Sequence, residues 1–354
     1  MQVEDLHFTT TGRPPIITVT LNPSIDRTLW VNGFAVGRTF LAERTEEFAG
    51  GKGVNTARAL GRMGVHATAS GILCREKSRV YLDILDVEGL EHQFFTTEGR
   101  VRTNITIVAD RGGKETHIRD RGSAQDPEAL ALFQSWLKDR LRQAGPGRRS
   151  GRGAGAHEGR RDRDRVPDSK KEYEGPLIVL SGSLPEGLPP DTYASLITLI
   201  GREGGTAFLD TSGEPLRLGL RARPTFIKPN RREVEESLGF LPRNEEELLR
   251  AVETYHGLGV PRVMISLGQD GLLYSDREIT VAAQVRVERP INTVGSGDAA
   301  VAGAVLGFLA GLGAEETARL ACTMGGANTL TPGAGRIDEA DVHGLYRTAE
   351  VRRL

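Results

Sequence analysis

The sequence predicts an α/β fold, a mostly parallel and doubly wound sheet carrying a small β-sheet lid. Three observations predict it: short β-branched runs alternate with helical patterns, the runs are apolar on both faces, and two stretches break the alternation in the same way. The runs are Ile16 to Leu21, Ala67 to Gly71, Leu177 to Leu180, Ala207 to Asp210, Phe226 to Lys228 and Val263 to Leu267. A strand apolar on both faces is covered on both sides, which is the condition of a parallel sheet. Helical periodicity fills the gaps at Val54 to Met63, Asp191 to Arg202, Asn244 to Leu258 and Asp298 to Leu309, and strand–helix alternation is how such a sheet is wound. This body is expected over residues 14–26, 49–93 and 122–345.

In Arg27 to Phe48 and Phe94 to Arg121, Thr, Val, Ile and Phe alternate with charged residues, the pattern of half-exposed strands. Residues 27–48 and 94–121 are therefore expected to pair as the lid, with ordinary edge strands of the main sheet as the alternative. Between Ala144 and Glu174 the composition shifts to Gly, Arg, Asp and Pro without apolar periodicity, which reads as a disordered insertion at 144–174. Its arginines lack interleaved aromatics and are broken up by acidic residues, which favours a solvated loop over a nucleic-acid arm.

With 46 Lys and Arg against 47 Asp and Glu in 354 residues, the global charge calls for neither nucleic acid nor an anionic membrane. Two cysteines, Cys74 and Cys322, are too few for a disulfide framework or a zinc cluster. The N-terminus lacks a basic segment leading into an apolar stretch, and no run reaches the ~18 apolar residues of a membrane span. The expected location is cytoplasmic.

The sharpest local feature is INTVGSGDAAVAGAVLGF from Ile291. Gly295, Ser296 and Gly297 form a turn opening an apolar helix, where exposed amides and the positive dipole end suit a phosphoryl group. Asp298 beside them could take the proton of an attacking alcohol. Two other readings stay open: Asp298 as a helix cap, and a dinucleotide fingerprint through Gly295, Gly297, Ala300 and Glu315. A second glycine turn, AGGKGVNTARALGRMG from Ala49, places Gly50, Gly51 and Gly53 with Lys52 and Asn55 at a helix start. It suits a polyhydroxylated ligand, or else a tight strand-to-helix connection. Asp26 in TLNPSID can accept from two sugar hydroxyls or serve as a turn residue. Asn230 and Glu233 in KPNRREVEE form either a capping box or a support for magnesium-bound water.

Taken in order, TLNPSID at Thr20, AGGKGVNTAR at Ala49, SGSLPEG at Ser181, LDTSGEPL at Leu209, IKPNRRE at Ile227, SLGQDG at Ser266 and NTVGSGD at Asn292 resemble the ribokinase-like (PfkB) sugar kinases. The likeness is strongest to the branch acting on hexose phosphates, and it runs from about Ile16 to Leu345 outside the insertion. It implies a ribokinase-like body, ATP with Mg2+, Asp298 as base, and Gly295, Ser296 and Gly297 as anion hole. It further implies a sugar held by Asp26, Gly50, Gly51, Lys52 and Asn55, and an existing phosphate gripped by Arg102 with Ser183 nearby. Lys228, Asn230, Ser266, Gly268, Gly271 and Asn328 would line the nucleotide side, with Glu233 supporting magnesium through water. The implied partners are a sugar phosphate, ATP and a second copy through the lid.

The sequence departs from that pattern in HIRDRG (His117 to Gly122), a more basic lid rim, in the Ala144 insertion, and in Asn292-Thr293 before the GSGD turn. The leading expectation is conversion of fructose 1-phosphate to fructose 1,6-bisphosphate. Tagatose 6-phosphate and fructose 6-phosphate are alternatives within the class. A non-catalytic sugar-phosphate sensor and a hydride-transfer enzyme are alternatives outside it.

Overall fold

The computed structural model describes residues 14–109, 115–145 and 175–354, so the stretch read as a disordered insertion lies almost wholly outside the described residues. Fourteen strands occur among them. Those of the body are β1 (Ile16–Thr20), β4 (Thr68–Glu76), β5 (His92–Arg100), β8 (Leu177–Ser181), β9 (Thr206–Asp210), β10 (Phe226–Ile227), β11 (Arg262–Ser266), β12 (Leu272–Ser275), β13 (Thr280–Gln284) and β14 (Glu350–Arg353). They form one sheet in the order β14-β13-β12-β11-β10-β9-β8-β1-β4-β5. From β11 to β5 every pairing is parallel, and β12 to β14 extend the sheet antiparallel.

Successive residues of the central strands serve different cores. Leu177 and Val179 pack into one, and Ile178 and Leu180 into the other, as the period of two requires. The first core is closed by α1 (Lys52–Arg62), α2 (Ser78–Val87), α8 (Ser296–Leu309), α9 (Ala314–Asn328) and α10 (Glu339–Thr348). The second is closed by α3 (Pro127–Gln143), α4 (Thr192–Arg202), α5 (Gly213–Arg221), α6 (Arg231–Leu238) and α7 (Glu245–Gly257). The glycines of apolar α8 serve close packing, since a Cβ on Gly303 would stand 2.6 Å from the Cα of Ala321 in α9.

The lid is a separate sheet in the order β3-β2-β6-β7, made of β2 (Ser24–Trp30), β3 (Arg44–Gly50), β6 (Arg102–Val108) and β7 (Glu115–Ile118). This corrects the expected boundaries. Residues 94–100, expected in the lid, run in β5 at the edge of the large sheet. Residues 24–26 and 49–50, expected in the body, belong to lid strands. The reason is visible in β5: Phe94 packs edge-on against Tyr81 on one side of the sheet, and Phe95 meets Phe133 and Trp136 on the other. A strand with large side chains on both faces needs layers on both faces, and the body provides them.

Register places the site. Thr20, Ser181 and Asp210 are lateral partners at the carboxyl ends of β1, β8 and β9, and Lys228 follows β10. In open α/β sheets, ligands bind at this edge.

Candidate active site

The turn before α8 has Gly295 at φ 86° as its N-cap, without a side-chain cap bond. A Cβ there would come within 2.6 Å of the Ala334 Cβ, so the turn needs glycine both for its left-handed backbone and for room. Asp298 is the third residue of the helix and not its cap, which removes the capping reading. The amides of Gly297 and Asp298 lie in the first turn, where a helix offers them no acceptor. Asn328, fully buried, braces the turn: its Nδ2 donates to the Val294 carbonyl (2.9 Å) and Ser296 Oγ (3.3 Å), and its Oδ1 accepts from the Gly335 amide (2.8 Å).

The second glycine turn enters α1 against the end of β1. A Cβ on Gly51 would stand 2.5 Å from Thr20 Cγ2, and the Val54 amide donates to Thr20 Oγ1 at 3.2 Å. This pins the first turns of α1 beside α8, so that Asn55 Nδ2 donates to Asp298 Oδ2 at 2.8 Å and Thr56 Oγ1 donates to the Asp298 carbonyl at 3.3 Å. Asp298 is 6% exposed. Burial pushes its carboxyl from 3.8 up to about 6, with Asp210 adding to the rise and Lys52, Asn55 and Lys228 opposing it. A carboxylate in that range is suited to general-base work near neutral pH.

Beneath it lies a charge cluster. Lys52 Nζ and Lys228 Nζ each stand 3.2 Å from the same oxygen of Asp210. Burial alone would raise the Asp210 carboxyl, but the two ammonium groups hold it below its usual range. Burial would likewise lower Lys52, yet Asp210, Asp298 and Glu233 together hold its ammonium above the usual range. The place a Gly297 Cβ would occupy is 3.3 Å from Lys228 Nζ, so a cation borders the glycine turn.

A cleft of about 740 Å3 separates lid from body, lined among others by Asp26, Asn104, Gly50, Asn55, Arg119 and Val294. Asp26 Oδ1 accepts from Ser24 Oγ and Asn104 Nδ2, both at 2.8 Å, which presents the carboxylate to the cleft. Gly50 is required beside it, because a Cβ would lie 2.1 Å from Asp26 Oδ2. Arg102 and Ser183 come together through Asn22. Arg102 Nη2 donates to the Asn22 carbonyl at 2.8 Å, and Asn22 Nδ2 donates to Ser183 Oγ at 3.3 Å. Arg102 Nε is buried without a hydrogen-bond partner among the described residues.

On the far side, Asn230 and Glu233 form a capping box. Asn230 Oδ1 accepts from the Arg232 and Glu233 amides, and Glu233 Oε2 accepts from the Asn230 amide at 2.8 Å. Ser266 bridges to Asn230 in parallel fashion. Gly268 opens a short turn facing free space, whereas a Cβ on Gly271 would stand 2.1 Å from the Ala283 carbonyl, so Gly271 serves packing. The sequence reading named these groups without placing them at one edge of the sheet, and it missed Asp210, Arg58, Glu88, Asn22 and Asn104. For Asp210 a signal existed, a lone carboxylate ending the wholly buried strand TAFLD.

An α/β body, a β lid over the carboxyl edge of its sheet, and a buried carboxylate beside a helix-opening glycine turn fit a sugar kinase. The description of the pfkB family of carbohydrate kinases matches residues 19–144 and 164–340, and the chain belongs to that family. Residues 145–163, inside the expected insertion, fall in the gap of the match. The 1-phosphofructokinase of Bacillus subtilis is 29% identical over 339 residues, covering 96% of this chain and 100% of the relative. The tagatose-6-phosphate kinase of Staphylococcus epidermidis is 27% identical over 339 residues, covering 95% and 99%. Among solved structures, phosphofructokinase-2 from Escherichia coli in complex with substrates and products superposes with a TM-score of 0.80 at 22% identity, covering 94% and 99%, a likeness of fold. The chain is an ATP-dependent sugar kinase. The dinucleotide reading is thereby overturned. No described helix is long and apolar enough to cross a membrane.

Proposed function

We propose that the chain phosphorylates a hexose phosphate, with fructose 1-phosphate as the first choice and tagatose 6-phosphate or fructose 6-phosphate as alternatives. The observation that carries the chemistry is Asp298, a buried carboxylate with its pKa near 6, held in the first turn of α8 and hydrogen-bonded to Asn55, which lines the lid cleft. Asp298 accepts the proton of the sugar hydroxyl as that oxygen bonds to the terminal phosphorus of ATP, and the bond to the β-phosphate oxygen breaks to release ADP. The Gly297 and Asp298 amides with Lys228 hold the transferring group. Asp26 and the glycine turn hold the sugar's hydroxyls.

An existing phosphate on the sugar would be held by Arg102, with Asn22 and Ser183 beside it, and the unpartnered Arg102 Nε supports that reading. The 1-phosphofructokinase and tagatose-6-phosphate kinase relatives support a phosphorylated hexose as acceptor. Magnesium fits on a limited footing. No group of three metal-ligating side chains occurs among the described residues, so a nucleotide-borne ion would keep most of its waters. Glu233, buried and with its Oε2 on the Asn230 amide, would hold one of those waters through its other oxygen. Bound magnesium would neutralise phosphate charge. The lid loop bears Val36 and Leu41, 98% and 92% exposed, and we read it as the surface through which two copies pair.

The deciding experiment is ADP release measured over fructose 1-phosphate, fructose 6-phosphate, tagatose 6-phosphate and the unphosphorylated sugars. Fructose 1-phosphate should give the highest kcat/KM. A preference for an unphosphorylated sugar would overturn the hexose-phosphate reading.

A further inference from the structure

Arg58 lies on α1 one turn beyond Asn55 and is 4% exposed. A guanidinium has five N–H donors in a fixed fork, and here each has a partner. Nη1 donates to Asn55 Oδ1 (3.0 Å) and to the Ala334 carbonyl (2.8 Å). Nη2 donates to the Ala49 carbonyl (2.9 Å) and to Glu88 Oε2 (2.7 Å), and Nε donates to the same Glu88 oxygen (2.9 Å). Glu88 is held in turn by Arg336 at 2.9 Å, whose guanidinium lies over the Phe48 ring.

The three neutral acceptors belong to the three parts that must meet for turnover. Asn55 carries the hydrogen bond to Asp298. Ala49 is the penultimate residue of lid strand β3. Ala334 packs against the Gly295 turn, where a Cβ on the glycine would strike it. The contact with Asn55 also decides which way its amide faces. Arg58 can only donate, so it claims Oδ1 and leaves Nδ2 to donate to Asp298. A flipped amide would set its oxygen against the carboxylate.

We propose that Arg58 is a positioning residue for phosphoryl transfer: it fixes the amide orientation of Asn55, and through it the base Asp298, while tying the lid strand and the anion-hole turn to the same guanidinium. The proposal rests on the reading of Asp298 as the base. The charged groups facing Asp298 are Lys52 from α1, Asp210 at the end of β9 and Lys228 after β10. Those facing Arg58 are Glu88 and, beyond it, Arg336. Replacing Arg58 reaches the first set through Asn55 and through Ala334 beside the Gly295 turn.

The test uses Arg58→Lys, which keeps the charge and loses the fork, alongside Asn55→Ala and the double variant. Misplacement of about 1 Å at a reacting centre costs roughly 10²-fold, so kcat should fall about 10- to 100-fold with KM for ATP nearly unchanged. The bond from Asn55 lowers the Asp298 pKa, so losing it should move the acid limb of the kcat–pH profile to higher pH. In the double variant the two losses should overlap and not multiply. A 13C-carboxylate titration of Asp298, assigned by its absence in Asp298→Asn, should rise in Arg58→Lys. This last readout needs no turnover, so it tests the relay even if wild-type protein phosphorylates none of the sugars and the kinase reading fails. If Arg58→Lys does not fold, Glu88→Gln decides in its place, with the same direction of limb shift and a smaller loss. An unmoved Asp298 titration in a folded variant, or losses that multiply in the double variant, would overturn the proposal.

Discussion

Replacing Asp298 by Asn separates catalysis from stability, and the structure gives both magnitudes. Asparagine is nearly isosteric and can still offer an oxygen to Asn55 Nδ2, so the bond between α1 and α8 survives. Without a proton acceptor, kcat should fall by about 10²–10⁴. Stability should move the other way. The Asp298 pKa is raised from 3.8 to about 6 on folding, so the folded chain binds this proton more tightly than the unfolded one. The penalty for ionising it in place is absent below about pH 4, grows between pH 4 and 6, and is complete above 6. At about 1.4 kcal/mol per pH unit it reaches roughly 3 kcal/mol at most. Asp298→Asn should therefore melt higher than wild type at pH 8, by up to about 6 °C at ~2 °C per kcal/mol for a large domain. The difference should shrink to about 2 °C at pH 4.5, where roughly 1 kcal/mol of the penalty remains. ADP release across pH 5–8 with thermal melts at both ends checks this. Wild-type kcat in the variant, or a melting difference independent of pH, would refute the reasoning.

Arg102→Ala should raise KM for the sugar phosphate by about 10- to 150-fold, the equivalent of a charge-assisted hydrogen bond of roughly 1.5–3 kcal/mol, while KM for ATP stays put; the reverse pattern would move Arg102 to the nucleotide side. Removing residues 146–163, nearly all of the stretch the family match skips, should leave kcat and melting temperature almost unchanged, because the segment is polar and has little apolar surface to bury. A drop of several degrees would show otherwise. Val36→Asp with Leu41→Asp should convert a dimer to a monomer in light scattering at micromolar concentration. A wild-type chain already monomeric there would rule out the lid as a pairing surface.

The site was legible where chemistry sits in a local pattern and illegible where it depends on distant segments meeting. Strands apolar on both faces announced the sheet, and GSGD announced a glycine turn opening an apolar helix with a carboxylate in its first turn. The lid boundary failed at β5 because Phe94 and Phe95 are neighbours with no alternation between them. Periodicity cannot tell an edge strand covered on both sides from a lid strand when the covering residues, Tyr81, Phe133 and Trp136, lie elsewhere in the chain. Asn230 and Glu233 show the opposite difficulty. Their spacing fits a cap and a magnesium support equally, and the structure satisfies the cap without excluding the other oxygen of Glu233 from further work.

Arg58 was the least readable of all. In sequence it is a basic residue three positions after Asn55, the spacing of an unremarkable helix face. Its role arises only because β3, α1, the residues around Ala334 and Glu88 converge on one buried guanidinium. A buried charge is tolerated only when its donors are all matched. A residue that satisfies this by taking acceptors from the lid, the base's partner and the anion-hole turn cannot be lost without disturbing all three. The matching that lets Arg58 be buried thus links lid strand β3 through Arg58 and Asn55 to Asp298 in one chain of hydrogen bonds.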